Sequence, residues 1–168
     1  MDKQQRLDRV FLNMTKEVST LSYCIRAKVG SLIVKNGNVI SFGYNGTPTG
    51  ADNCCEDKQY MNVDGGAWLD QAAVEKNWPF GDEKGNYGLV SKSEVLHAES
   101  NAILKAAKMG ISTDGSTMYV TLSPCKDCAK LILQSGIQRV VYLELFKRDF
   151  GSVEFLKQFI KVEKYDLQ

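Results

Sequence analysis

Two short runs, His97-Ala98-Glu99 and Pro124-Cys125-Lys126-Asp127-Cys128, each open an amphipathic helix directly behind an extended or loop segment. That repetition limits the fold more than any other feature of the chain. It sets a rhythm of helix over 97–108 closed by Gly110, strand over 117–121, helix over 125–134 closed by Gly136, strand over 139–144 and helix over 152–161. Strands alternating with helices predict a layered α/β structure, in which the start of one helix can face the start of the other.

The first part of the chain supplies the remaining layers. Leu7, Val10, Phe11, Met14, Val18, Leu21 and Ile25 recur at three- and four-residue steps, which predicts a helix over 4–25 with one buried stripe. Residues 30–35 and 38–42 read as two strands joined by Asn36-Gly37, a strong hairpin signal. A Gly- and Pro-punctuated loop follows over 43–50. Periodicity then weakens from Ala51 to Ser93. Here 67–78 reads as a short helix ended by Pro79, and 80–88 as an exposed loop rich in Gly and charge. A long irregular stretch of this kind commonly serves as a lid or an interface. Its aromatic residues Trp68, Trp78, Phe80 and Tyr87 suit either stacking on a ligand or packing.

With 168 residues and 43% hydrophobic content, the chain is expected to form a single domain with a substantial core. The formal net charge of +1 advertises no global field for a nucleic-acid backbone, so a small substrate is favoured. Neither a signal-peptide core nor a stretch of membrane-spanning length occurs, which predicts a cytoplasmic protein with no membrane partner. Five cysteines, an odd number in such a chain, argue against a disulfide framework and for reduced thiols available to a metal.

The two runs together offer one His and two Cys, the ligand count of a catalytic zinc site that keeps its fourth position for water. Cys125 and Cys128, three residues apart on a helix, present both sulfurs on one face. Glu99, two residues beyond His97 on the same helical turn, can reach a bound water without ligating. Orphan N–H groups at both helix starts favour thiolates and any developing anion. A lone His or a lone C-x-x-C would be weak evidence. A closed zinc site, with Cys24, Cys54 or Cys55 as fourth ligand, would leave Glu99 without a role, and a redox pair lacks its usual strand context. In order and combination the runs form the H-x-E…P-C-x-x-C signature of zinc nucleobase deaminases.

Beyond that signature the chain resembles the deoxycytidylate (dCMP) deaminases found in cells and in large DNA phages. The resemblance rests on Lys28-Val29-Gly30, on Gly43-Tyr44-Asn45-Gly46 with Pro48 and Gly50, and on Asn53-Cys54-Cys55. It is extended by His97 through Ile103 and by Met118 through Cys128, and it covers most of the chain outside a divergent insertion at about 56–93. It implies the cytidine deaminase fold, a three-layer α/β/α arrangement around a mixed five-stranded sheet. The implied activity is zinc-dependent hydrolysis of dCMP to dUMP and ammonia, which feeds thymidylate synthesis. In this reading His97, Cys125 and Cys128 hold Zn2+ and Glu99 moves protons.

Asn45 would contact the sugar or serve as a turn residue of its own loop. Backbone near Ala98 and Ser123 would read the base edge. Asn101 is either a ligand contact or a buried amide satisfied locally. The family further implies activation by dCTP and inhibition by dTTP, with Mg2+ accompanying the triphosphate. Gly43, Tyr44 and Gly46 would form that effector site, with Arg26 and Lys28 as phosphate partners or as solvated ends of the first helix. Some phage members hold a second metal, for which Cys24 and Cys54 with Cys55 and Glu56 or Glu94 are candidates, free thiols being the alternative. A homohexamer is implied as well. Competing readings are deamination of a base within tRNA or single-stranded DNA, and a non-catalytic zinc-stabilised nucleotide-binding module.

Overall fold

The computed structural model describes residues 2–61, 71–146 and 151–166. Their elements are α1 (Lys3–Ser19), β1 (Gly30–Lys35), β2 (Asn38–Tyr44), β3 (Glu56–Tyr60), α2 (Gln71–Asn77), β4 (Phe80–Asp82) and β5 (Gly85–Ser91). They continue with α3 (Ala98–Lys108), β6 (Thr117–Leu122), α4 (Lys126–Gln134), β7 (Arg139–Glu144), α5 (Ser152–Lys157) and β8 (Lys161–Lys164). A five-stranded sheet runs in the order β2-β1-β6-β7-β8. Strand β1 is antiparallel to both its neighbours, whereas β6, β7 and β8 are parallel. The expected mixed five-stranded α/β architecture is therefore present.

Side chains alternate across this sheet, so the three central strands β1, β6 and β7 each feed two cores. Leu32, Val34, Tyr119 and Val141 meet Phe11 and Leu12 of α1 on one face. On the other, Ile33, Met118, Val120 and Val140 pack with Ala102 of α3, Ala129 and Ile132 of α4, and Val153 and Leu156 of α5. Each fully buried Leu, Ile or Val contributes roughly 1.5–3 kcal/mol relative to an exposed one. The β1–β2 hairpin closes through Asn36 and Gly37, both at positive φ (51° and 77°), as a two-residue turn between twisted strands requires.

Helix α1 begins where Asp2 and Gln5 form a reciprocal capping box. It ends at Ser19, short of the residue 25 expected from periodicity, and Leu21 and Ile25 are exposed. The backbone N–H groups of Ile25 and Arg26 donate instead to Glu56 Oε1, at 2.9 and 3.1 Å. The buried stripe is also rotated from the expected one: Asp8, Phe11, Leu12 and Thr15 face the sheet, while Val10 and Met14 are exposed. Asp8 is drawn inward because Arg139 grips both its oxygens (2.8 and 2.7 Å) and the Tyr119 hydroxyl donates to it at 2.6 Å.

The region read as irregular, including the loop expected over 80–88, folds as an antiparallel sheet in the order β3-β5-β4 with helix α2. Its strands are short, polar and largely solvent-exposed, so they carry no hydrophobic alternation. Trp68 and the first part of the helix expected over 67–78 lie outside the described residues, and the described helix covers Gln71–Asn77. The final helix stops at Lys157, and the polar segment Lys161–Lys164 pairs as edge strand β8. The expectation of reduced thiols is corrected at one pair. Cys24 and Cys55 are joined by a disulfide with Cα atoms 5.2 Å apart, because the loop after α1 folds onto the start of β3. Counting cysteines cannot detect a pairing that tertiary packing creates.

Burial alone would push the Asp8 carboxyl up, but hydrogen bonds from Arg139, Tyr119 and Gln4 prevail and hold it below the usual carboxylate range. A folded-state pKa below the unfolded one makes this contribution complete above the ordinary value of 3.8 and removes it as pH falls through the folded value. Asp8→Asn should therefore cost about 3 kcal/mol in urea denaturation at pH 7, with the gap to the parent narrowing below about pH 4. A gap that is unchanged between pH 7 and pH 3 would contradict this.

Candidate active site

Helix α3 approaches β2 almost backbone to backbone. Ala98, Ala102 and Ala106 line its buried face at four-residue spacing, and each is fully buried. Opposite them sits Gly43, where a Cβ would fall 2.5 Å from Ala102 N. Ser41 Oγ donates to Ala102 O (2.7 Å) and Asn101 Nδ2 to Tyr44 O (2.8 Å), fixing the helix on either side of that glycine. The N-terminal end of α3 is thereby set against the sheet, with His97 as its N-cap residue in extended geometry (φ −74°, ψ 156°). Cys125 occupies the same position on α4 (φ −74°, ψ 171°). Neither side chain caps its own helix.

The loop before Cys125 is pinned from several sides. Ser123 N donates to Glu144 O (2.8 Å), Ser123 Oγ accepts from Phe146 N (2.8 Å), and Ser152 Oγ donates to Pro124 O (2.7 Å). His97 Nδ1 consequently lies 3.4 Å from both Cys125 Sγ and Cys128 Sγ. Tetrahedral zinc with Zn–S near 2.3 Å and Zn–N near 2.0–2.1 Å would set such donors about 3.5 Å apart, so the observed spacing fits that ion. Among the described residues, these three form the one cluster of three or more His, Cys or acidic side chains close enough to share a metal. The hydrogen bond from Cys128 and then the nearby His97 hold the Cys125 thiol well below the usual range, favouring the thiolate a metal needs. Hydrogen bonding to Cys125 and burial raise Cys128 in turn.

Glu99, two residues beyond His97 in the first turn of α3, is 3% exposed. Burial pushes its carboxyl up to about 7, where it can both accept and give a proton near neutrality. It shares with His97 and Cys125 the wall of a cleft of about 710 Å³ at the carboxyl ends of β6 and β7, represented there by Leu122 and Glu144. Ala98, Ser123, Asn45 and Arg26 line the same cleft.

The other candidates are distributed differently. Asn45 Oδ1 accepts from Val29 N and Asn45 Nδ2 donates to Ala27 O, both at 2.8 Å, so the amide holds the loop before β1. One N–H of its two remains for other partners. Asn101 bonds to Tyr44 O, and Gly43 serves the packing of α3. Tyr44 and Gly46 line a second pocket of about 150 Å³ with Tyr23 and residues 47–51, and Arg26 belongs to the large cleft instead. Lys28 is exposed outside the lining of both. Cys24 is spent in its disulfide, and the exposed Cys54 donates to Glu56 O at 3.3 Å, so the thiolate pair imagined for a second metal is not assembled. Ser152, Glu56 and Ser91 act near the site without any motif to reveal them. A helix-start serine behind Gly151 was the nearest signal for Ser152.

Fold and donor cluster, taken with relatedness to known proteins, define a zinc-dependent hydrolase of the deaminase class. Residues 5–144 match the cytidine and deoxycytidylate deaminase zinc-binding region. The chain is 43% identical over 149 residues to the deoxycytidylate deaminase of Enterobacteria phage T4, covering 79% of this chain and 75% of that one. It is 31% identical over 161 residues to ComE operon protein 2 of Bacillus subtilis, covering 95% and 71%. The crystal structure of dCMP deaminase from cyanophage S-TIM5 in complex with dCMP and dUMP superposes with a TM-score of 0.74 at 33% identity, over 98% of this chain and 99% of that one. The chain belongs to the cytidine and deoxycytidylate deaminase family.

Because a side chain at residue 43 would collide with α3 backbone, Gly43→Val should destabilise the fold by about 1–3 kcal/mol and lower the zinc bound per chain. Calorimetry with metal analysis checks both. A variant with parental melting temperature and zinc content would show that the close approach is dispensable.

Proposed function

We propose that the chain hydrolyses dCMP to dUMP and ammonia, supplying dUMP for thymidylate synthesis. The observation that carries the reading is the buried Glu99 beside the His97–Cys125–Cys128 cluster at the wall of a nucleotide-sized cleft. Support for the nucleotide comes from the phage T4 relative and from the S-TIM5 enzyme, which binds dCMP and dUMP.

Zinc, when bound by His97, Cys125 and Cys128, supplies a Lewis acid that brings the pKa of a coordinated water toward about 7. Glu99, buried at the cleft wall beside the three donors, would accept a proton from the attacking water and deliver it to N3 of the cytosine ring. The second proton of that water, carried by Glu99 to the exocyclic amine as the C4 carbonyl forms, would let the amine leave as ammonia, so water and dCMP are converted to dUMP and ammonia in balance. Ala98, first residue of α3, carries one of the N–H groups that a helix start leaves without an internal partner. With backbone at Ser123 it reads the base edge, and the remaining amide N–H of Asn45 reaches the sugar. The pocket at Tyr44 and Gly46 is the effector surface in this reading, for dCTP or dTTP with Mg2+. In this reading the enzyme works in the cytoplasm on a pool of free nucleotide.

Glu99→Gln keeps the shape of the side chain and removes its proton-transfer capacity. It should retain parental zinc while kcat for ammonia release from dCMP falls at least about 100-fold. Full activity in this variant would reject the assignment, and turnover of single-stranded DNA or tRNA in place of dCMP would reject the substrate.

A further inference from the structure

The run Ser123-Pro124-Cys125 is gripped by the stretch that leads from β7 into α5. Ser123 N donates to Glu144 O and Ser123 Oγ accepts from Phe146 N, both at 2.8 Å, and Ser152 Oγ donates to Pro124 O at 2.7 Å. Ser152 is the first residue of α5 and is 1% exposed. Val153 and Leu156, further along α5, lie in one buried cluster with Ala129 and Ile132 of α4. Helix α5 therefore supports α4 through its core and also reaches the peptide from which α4 starts.

Pro124 gives this hydroxyl its leverage. The proline ring fixes φ and removes the N–H, so the carbonyl is the one backbone hydrogen-bonding group that Pro124 retains. With φ set by the ring, the direction of the carbonyl sets ψ, and the planar peptide carries that setting on to Cys125 N. Cys125 is the N-cap of α4, in extended geometry (φ −74°, ψ 171°), and depends on the loop before it. Cys128 lies within α4 and is buried. The two sulfurs that flank His97 Nδ1 at 3.4 Å thus have different supports.

We infer that Ser152 is a positioning residue of the metal site: by fixing the Pro124–Cys125 peptide it holds the Cys125 thiolate at the metal, and it makes α5 part of the site without touching the ion. This rests on the zinc site of the deaminase reading above and holds for any base that the site deaminates.

The test compares the parent, Ser152→Ala and Thr113→Val in zinc affinity, measured by competition with a chromophoric chelator, and in alkylation of the zinc-loaded chains by iodoacetamide. Thr113 supplies the matched control, because its buried hydroxyl donates to Ser135 O at 2.6 Å, at the opposite end of α4. Trypsin cuts after Lys126, so Cys125 and Cys128 are quantified on separate peptides. Losing either hydroxyl strands a carbonyl and should lower the melting temperature by about 2–6 °C. Ser152→Ala should also weaken zinc on the order of 10-fold and speed modification of Cys125 by roughly the same factor, with Cys128 little changed. Thr113→Val should keep zinc affinity within about 2-fold of the parent. Unchanged zinc affinity in Ser152→Ala, an equal loss in Thr113→Val, or faster modification shared equally by Cys125 and Cys128 would overturn the inference. A parent that binds no zinc at these residues would remove the metal site, and the inference with it. A parent that holds zinc yet releases no ammonia from dCMP would reject the nucleotide reading alone.

Discussion

The packing of helix α3 on strand β2 at Gly43 is the constraint on which the site depends. Helix and strand come so close that a single Cβ would be excluded, and the alanine stripe at residues 98, 102 and 106 makes that approach possible. Ser41 and Asn101 then lock rotation and slide by hydrogen bonds from side chain to backbone across the contact. The consequence at the N-terminal end is that His97 and Glu99 are placed relative to the sheet by backbone contacts, with little freedom left to side-chain rearrangement. The second donor pair reaches the same spot independently, through the pinned loop that follows β6.

Two helix starts thus converge with their cap side chains turned toward each other. Orphan N–H groups and a positive helix end favour thiolate at Cys125, and the donor spacing suits a small tetrahedral ion. Burial acts in the opposite direction on Glu99, favouring the neutral acid until a partner takes its proton. Environment therefore separates donor from proton carrier within a few residues of sequence. Across the cleft the inserted sheet adds a wall of different character, where a buried carboxylate organises backbone and leaves a guanidinium available.

The donor set was legible in the sequence because spacing alone places Cys125 and Cys128 on one helical face and His97 at a matching helix start. Strands β1, β2, β6 and β7 were legible from their alternation or apolar runs and from the Asn36-Gly37 turn. The misreadings have physical origins. Periodicity in α1 pointed to Val10 and Met14, yet the pull of Arg139 and Tyr119 on Asp8 turns the helix so that Leu12 and Thr15 are buried. Strands β3, β4, β5 and β8 hold few buried apolar side chains, so their pairing rests on backbone hydrogen bonds that leave no pattern in the residues. Gly43 and Asn101 lie in motifs that suggest ligand contact, and the fold also gives each a structural task, Gly43 admitting α3 and Asn101 bonding to Tyr44 O. The Cys24–Cys55 link joins segments 31 residues apart and depends wholly on tertiary packing.

Zinc K-edge absorption spectroscopy of the purified full chain most directly tests the central claim that two helix starts build an open metal site. The account predicts one zinc per chain with one nitrogen and two sulfur neighbours from the protein and a further light-atom neighbour that exchanges with solvent or ligand. A shell of three or four sulfurs, or a chain that folds with no zinc at this cluster, would contradict it.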